Sequence, residues 1–425
     1  MTASTVRSQT PPMGWNSWDC YGTTVTESEV LANAEFMAER MRAHGWDTVV
    51  VDIAWYDPTA RAHGYNADAP VALDGYGRPM PAPNRFPSAA NGAGFVPLAG
   101  AVHNLDLRFG VHIMRGIPRP AVHADLPVEG TSYTAAQIAD TGAVCEWNPD
   151  NYGLDHGHPG TQAYYDSFIA QLASWGVDFI KADDMLWPYR AADIEALALA
   201  IRRSGRDLEL SLSPGRDLSL VHGGHLRKHA TMWRVSDDLW DRWEDVRDQF
   251  ARLARWAPHS GPGGWADADM IPLGRIGIRA ERGQDRHSRL TPAEQQTLMS
   301  LWVIARSPLM VGADLPTSSP ETIELLTNDR VLEVLRRGRS PREVLRERDL
   351  VVWRSESAVD GHVYAGVFHL GDEPVRVGLP GYHLGADGTE DVVELWSGTD
   401  QAWDDDGALT LALDAHGSAL LRLAR

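Results

Sequence analysis

Phe179-Ile180-Lys181-Ala182-Asp183-Asp184 is a short stretch of this 425-residue chain that starts apolar and ends in two carboxylates. It follows Trp175-Gly176-Val177-Asp178, which reads as a helix end and a turn. A buried parallel strand that delivers an acid into a cleft has this texture. Alternation places Phe179, Lys181 and Asp183 on one face, and Ile180, Ala182 and Asp184 on the other. A lysine beside Asp183 favours its ionised form. Taken alone, the segment is equally well a strand end with two solvated carboxylates, so its neighbours must discriminate.

On both sides the chain repeats the same unit. Upstream, Pro12 to Trp18 reads as a first strand. Thr26 with Glu29 forms a capping box for a helix whose apolar residues recur from Val30 to Met41. Thr48 to Ile53 and Phe109 to Met114 read as the second and third strands, and Phe179 to Asp183 as the fourth. Downstream come Leu208 to Ser213, Thr231 to Ser236, a unit around Asp267 to Met270, and Pro308 to Gly312. Helical patterns alternate with them, and eight such units predict a (β/α)8 TIM barrel. Two long excursions, 56–95 and 115–159, read as irregular loops over the active face. After Ser340 helical signals vanish, and short β runs from Leu350 to Leu423 predict a C-terminal antiparallel β-sandwich. The expected division is 1–338 for the barrel and 339–425 for the sandwich.

Asp183 and Asp238 stand two βα units apart, at the tops of the fourth and sixth strands. Strand spacing puts those backbones roughly 10 Å apart. Converging side chains at about 5 Å would suit double displacement at a glycosidic carbon. Asp183, with Lys181 on its face, suits the ionised nucleophile. Asp237 and Asp241 near Asp238 would favour its protonated form, as a general acid requires.

Composition narrows the class. A formal net charge of −19 argues against nucleic-acid or anionic-membrane partners. No signal-like N-terminus or long apolar run is visible, so the expected location is cytoplasmic. Two cysteines provide no disulfide framework. His222 and His225, with His229, are joined by no carboxylate that completes a convincing ligand set and read as surface, so no metal site is expected. Asp155-His156-Gly157-His158 reads as a turn bordering the cleft, and Gly261-Pro262-Gly263-Gly264 lacks the features of a P-loop. A homo-oligomer is compatible with the sequence.

Several motifs together resemble glycoside hydrolase family 27, the α-galactosidase and α-N-acetylgalactosaminidase family. They are Pro12-Met13-Gly14-Trp15-Asn16-Ser17-Trp18, Lys181-Ala182-Asp183, Trp233-Arg234 through Asp238 to Trp243, and Gly261-Pro262-Gly263-Gly264-Trp265-Ala266-Asp267-Ala268-Asp269-Met270. The resemblance implies a retaining, exo-acting α-glycosidase, nominally an α-galactosidase, without metal or cofactor. It implies Asp183 as nucleophile and Asp238 as acid/base, with Trp15, Asp52, Lys181, Arg234 and Asp269 lining the sugar pocket. Its substrate would be an oligosaccharide or glycoside. Three positions depart from the family pattern. Ile53 stands where a second aspartate is usual, His112 where a tyrosine is, and Ser213 where galactosidases commonly carry glutamate. These substitutions admit a different sugar, glucose or β-L-arabinopyranose, or a non-catalytic carbohydrate-binding barrel.

Overall fold

The computed structural model describes residues 9–216 and 218–424. Eight strands form one parallel sheet: β1 (Met13–Asn16), β2 (Thr48–Val51), β3 (Arg108–Met114), β4 (Phe179–Asp183), β5 (Glu209–Leu212), β6 (Met232–Arg234), β7 (Trp265–Asp267) and β8 (Leu309–Val311). Each pairs with its neighbour in chain order up to β7, and β8 pairs with β1. The remaining seam is closed by Ile271 bridging Val311. The Ile271 N–H donates to the Met310 carbonyl at 2.8 Å, and the Gly312 N–H to the Ile271 carbonyl at 3.2 Å. The result is the expected barrel. Its strands are apolar because they are buried on both faces; Thr48-Val49-Val50-Val51 of β2 is buried throughout.

Helices α1 (Glu27–Arg40), α2 (Val96–His103), α3 (Pro159–Ser174), α4 (Ala191–Ser204), α5 (Gly223–His229), α6 (Trp243–Trp256) and α7 (Pro292–Ala305) follow successive strands. The Thr26–Glu29 capping box starts α1, which buries Val30, Asn33, Ala34 and Met37 on one face. Thr291 caps α7, with Pro292 at its first position. The last strand is followed by α8 (Pro320–Leu326) and α9 (Asp329–Arg337). Among the described residues, no helix is long and apolar enough to cross a membrane. Cys20 and Cys145 are both buried and free.

The second excursion is more ordered than expected. Ile117–Pro118, Asn151–Leu154 and Ala139–Val144 form a small antiparallel sheet, with short helices at Arg119–His123 and Ala135–Ile138. Ala139–Val144 is largely exposed and has no apolar alternation, so only its pairing makes it a strand.

The C-terminal part is an antiparallel sandwich. Its larger sheet runs Gly338–Glu347, Leu350–Ser357, Val363–His369, Ser418–Leu423, Val392–Glu394 and Thr399–Gln401. Val375–Pro380 pairs with Ala408–Leu413 in the second. Val352, Val367, Leu379, Leu411 and Leu421 pack between them. Gly338–Glu347 was not expected. It is charged, holds Pro341, and lies at the sheet edge, where a proline needs no ladder partner. Gly381–Leu384 is one helical turn where none was foreseen. The sandwich packs on α6 and α7. Phe368 meets Phe250 edge-on at 5.0 Å, His416 lies 2.7 Å from Glu294, and the Trp396 indole donates to the Ser300 hydroxyl at 2.9 Å.

Candidate active site

The register of the barrel brings Lys181 beside His112 of β3 and Ser211 of β5, with Asp183 opposite Met114. Asp183 therefore ends β4 at the C-terminal mouth of the barrel. Its carboxylate is held on two sides. The Asp184 N–H donates to Oδ1 at 2.9 Å, and His112 Nε2 lies 3.1 Å from Oδ2. Burial acts to raise the Asp183 pKa, but the His112 hydrogen bond and charge, the Lys181 charge and the Asp184 amide together hold it below its ordinary value.

Lys181 contacts Asp52 directly, at 2.7 Å from Oδ2. The same oxygen accepts from Asn16 Nδ2 at 2.7 Å, and Oδ1 accepts from the Ile53 N–H at 2.8 Å. Burial opposes ionisation of Asp52, yet Lys181 and His112 hold its pKa well below the usual carboxylate range. Lys181 is raised in turn: burial works against its charge, and Asp52 and Asp183 more than compensate. The lysine on the face of Asp183 thus acts through space, while its direct partner is Asp52.

Asp184 has a structural task. It is buried, with φ at 59°, and pairs with Arg115 at 2.6 Å. It serves the site through its backbone N–H.

Across the mouth, at the end of β6, Arg234 reaches two acids. It lies 3.1 Å from Asp238 Oδ1 and 2.8 Å from Asp269 Oδ1. Asp269 also accepts the Leu239 N–H at 2.7 Å. Burial, with the charges of Asp238 and Asp267, pushes Asp269 upward against the pull of Arg234. The Asp238 side chain is 38% exposed against 14% for Asp183, so one acid sits at the rim and the other at depth.

Two sequence expectations need correction. Asp241 does not add negative charge near Asp238. It is buried and neutralised by Arg286, at 2.6 and 2.8 Å, and the Arg289 N–H completes its shell at 3.0 Å. Trp15 does not line a pocket. It has no exposed surface, and its indole donates to the Ala313 carbonyl at 2.6 Å, so it supports the floor from within the core.

Ile53 is buried in a cluster with Trp18, Ala54, Met114, Cys145 and Tyr65. Ser213 is buried with no partner for its hydroxyl, although its N–H donates to the Ala182 carbonyl at 3.0 Å. His158 of the Asp155-to-His158 turn accepts from the Gly160 N–H at 3.1 Å and starts α3.

Sequence reasoning missed Tyr65, Trp147 and Glu281. Tyr65 stacks on Trp18 at 5.6 Å and meets Trp147 at 5.5 Å. Burial, then Glu281, Asp183 and Asp238, raise the Tyr65 hydroxyl, which places it among the acids. Glu281 is itself pushed up by burial and Asp238. The only signal for Tyr65 and Trp147 was the length of the two excursions that carry them.

Comparisons with known proteins agree with this layout. The family model for alpha galactosidase A matches residues 150–336, and that for the alpha galactosidase C-terminal beta sandwich domain matches 347–423. An arabinose complex of a variant of a GH27 β-L-arabinopyranosidase from Geobacillus stearothermophilus superposes with TM-score 0.96. It is 45% identical, with 100% of both chains covered. The wild-type form of that enzyme gives 0.94 at 46% identity, over 98% of this chain and 97% of the other. The alpha-galactosidase of Cyamopsis tetragonoloba is 25% identical over 422 residues, covering 96% of this chain and 84% of its own. With its barrel, its sandwich and full-length identity of this order, the chain belongs to glycoside hydrolase family 27 and is a glycosidase.

Proposed function

We propose that this chain is a retaining, exo-acting glycosidase that releases terminal β-L-arabinopyranosyl groups. Asp183 attacks the anomeric carbon while Asp238 donates a proton to the leaving oxygen. The glycosidic C–O bond breaks and a covalent glycosyl ester forms on Asp183. Asp238, now a base, takes a proton from water, and that water displaces Asp183. The structure suits the division of labour. Asp183 is buried and held ionised by its neighbours, and Asp238 is at the rim where leaving group and water arrive. A deep nucleophile below a rim acid fits removal of a single terminal unit.

The observation that carries the choice of sugar is Ile53. β-L-Arabinopyranose has the ring configuration of α-D-galactose without the hydroxymethyl group. An aspartate at this position would offer an acceptor to a sugar hydroxyl, whereas Ile53 offers an apolar wall among Trp18, Ala54 and Met114. A site lined this way gains from apolar ring atoms and loses when it must desolvate an unmatched hydroxyl. The full-length likeness to a protein described as a β-L-arabinopyranosidase supports the same reading.

An α-galactosidase reading is favoured instead by the unchanged Asp52, Lys181, Arg234 and Asp269. The test is a panel of 4-nitrophenyl β-L-arabinopyranoside, α-galactoside, α-N-acetylgalactosaminide and α-glucoside, with isomaltooligosaccharides. The highest kcat/KM is expected on the β-L-arabinopyranoside. A higher value on the α-galactoside would reverse the assignment. Binding without turnover on every member would sink catalysis altogether.

A further inference from the structure

On the outer wall of the barrel, α4 packs against α5. His225 and His229 are one turn apart on α5 and share a face. Glu195 of α4, thirty residues upstream of His225, reaches the same place. One ligand atom from each of the three lies within 4.8 Å of the others. His225 Nε2 is 3.1 Å from Glu195 Oε1, and the two imidazole centroids are 4.6 Å apart.

His229 is the residue that lacks an explanation. It is 9% exposed, and neither ring nitrogen has a partner. Buried polar atoms are nearly always paired, because each orphan costs its desolvation. We infer that Glu195, His225 and His229 form a zinc site, with water in the fourth position.

The chemistry fits that ion. Two imidazoles and one carboxylate are a zinc donor set, whereas Ca²⁺ and Mg²⁺ take mostly oxygen. Zinc–nitrogen bonds of about 2.0–2.1 Å imply tetrahedral ligand atoms about 3.3 Å apart. His225 Nε2 and Glu195 Oε1 are already 3.1 Å apart, so the remaining closure from a spread of up to 4.8 Å falls to His229. His225 is already oriented. Its Nδ1 lies 2.6 Å from the Tyr189 hydroxyl, and Tyr189 stacks on His222 at 3.6 Å. With Nε2 on zinc, the Nδ1–H donates to Tyr189, the kind of outer bond that fixes a ligating histidine. The charges of Lys228 and Arg202 act at His229 and oppose a cation, which limits the affinity. Because Tyr189 lies six residues beyond Asp183, the ion would tie the loop after β4 to α4 and α5.

The test uses the full chain stripped with EDTA and titrated with ZnCl2 by calorimetry and thermal unfolding. One zinc per chain and a raised Tm are expected, while MgCl2 and CaCl2 leave Tm unmoved. His225→Ala and His229→Ala should abolish the zinc-dependent rise, and Glu195→Gln should weaken binding at unchanged metal-free Tm. Glu195 is mostly exposed, so its variant tests the site even if a histidine variant fails to fold. Absence of stoichiometric zinc, or equal affinity in wild type and Glu195→Gln, overturns the assignment.

Discussion

His112→Phe removes the one side-chain hydrogen bond, among the described residues, to the proposed nucleophile Asp183 while keeping a ring in a fully buried slot. Among the described residues His112 Nδ1 has no partner, so the group newly orphaned there is Asp183 Oδ2. The lost bond, 3.1 Å long and made to a charged acceptor, is worth about 1.5–3 kcal/mol. Each 1.36 kcal/mol is about one pKa unit. The Asp184 amide and Lys181 remain, so the lower end of that range applies and Asp183 should rise by roughly one unit. Asp183 is normally held below its ordinary value, so it stays ionised as the medium becomes acidic. Without His112, burial prevails earlier and the nucleophile takes up its proton at higher pH. In a pH profile of kcat/KM on an aryl glycoside, the acidic limb should therefore move upward by about one unit. The plateau should fall by about tenfold as positioning loosens. An acidic limb that stays in place, with an unchanged plateau, refutes the coupling of His112 to Asp183.

Ile53→Asp places a carboxylate beside the intended sugar, and should shift the kcat/KM ratio toward α-galactoside over β-L-arabinopyranoside by about 1–3 kcal/mol; a ratio that stays put removes Ile53 from sugar selection. Lys181→Met leaves Asp52 as an uncompensated buried charge, which should cost about 3–5 kcal/mol in urea unfolding. The sign with pH follows from the depressed Asp52 pKa. In the wild type its contribution is present above the unfolded value of about 3.9 and is lost as pH falls through the folded one; in Lys181→Met that depression is removed, so the penalty should be largest near neutral pH and shrink as acid protonates Asp52. Asp183→Gly should be inactive, with azide restoring part of the rate as an inverted glycosyl azide; no rescue would leave Asp183 without a nucleophilic role.

The barrel was legible because each buried strand is a run of apolar residues closed by polar ones, and because capping boxes at Thr26 and Thr291 mark helix starts. Gly338–Glu347 and Ala139–Val144 escaped for the opposite reason. They are exposed, carry no alternation, and exist through pairing with strands far more apolar than themselves. Asp183 and Lys181 could be placed on one face by period alone. That Lys181 would bond Asp52 could not, since the contact crosses β3 and depends on the reach of a long side chain. Asp241 misled because sequence adjacency shows the acids on one segment but not Arg286, which lies 45 residues further on. Glu195 was invisible as a partner of His225 for the same reason.

The proposed double displacement calls for one carboxylate that stays ionised and another that carries a proton, and the two halves of the mouth differ in charge balance. On the β4 side, Asp52 and Asp183 share the field of Lys181, with His112 as a further donor, and both acids are lowered. On the β6 side Arg234 faces Asp238 and Asp269, with Asp267 and Glu281 adding negative charge and Arg282 beside Glu281. There Asp269 and Glu281 are raised, so that half of the mouth is disposed to hold a proton. The two halves lie on strands separated by β5 and still act on one another, Arg234 on Lys181 and Lys181 on Asp267. On the proposed function, this arrangement would let the sugar change through Ile53 while the chemistry persists. Ile53 contributes only its backbone N–H to the β4 network, through Asp52, and its side chain is free to vary without altering either charge balance.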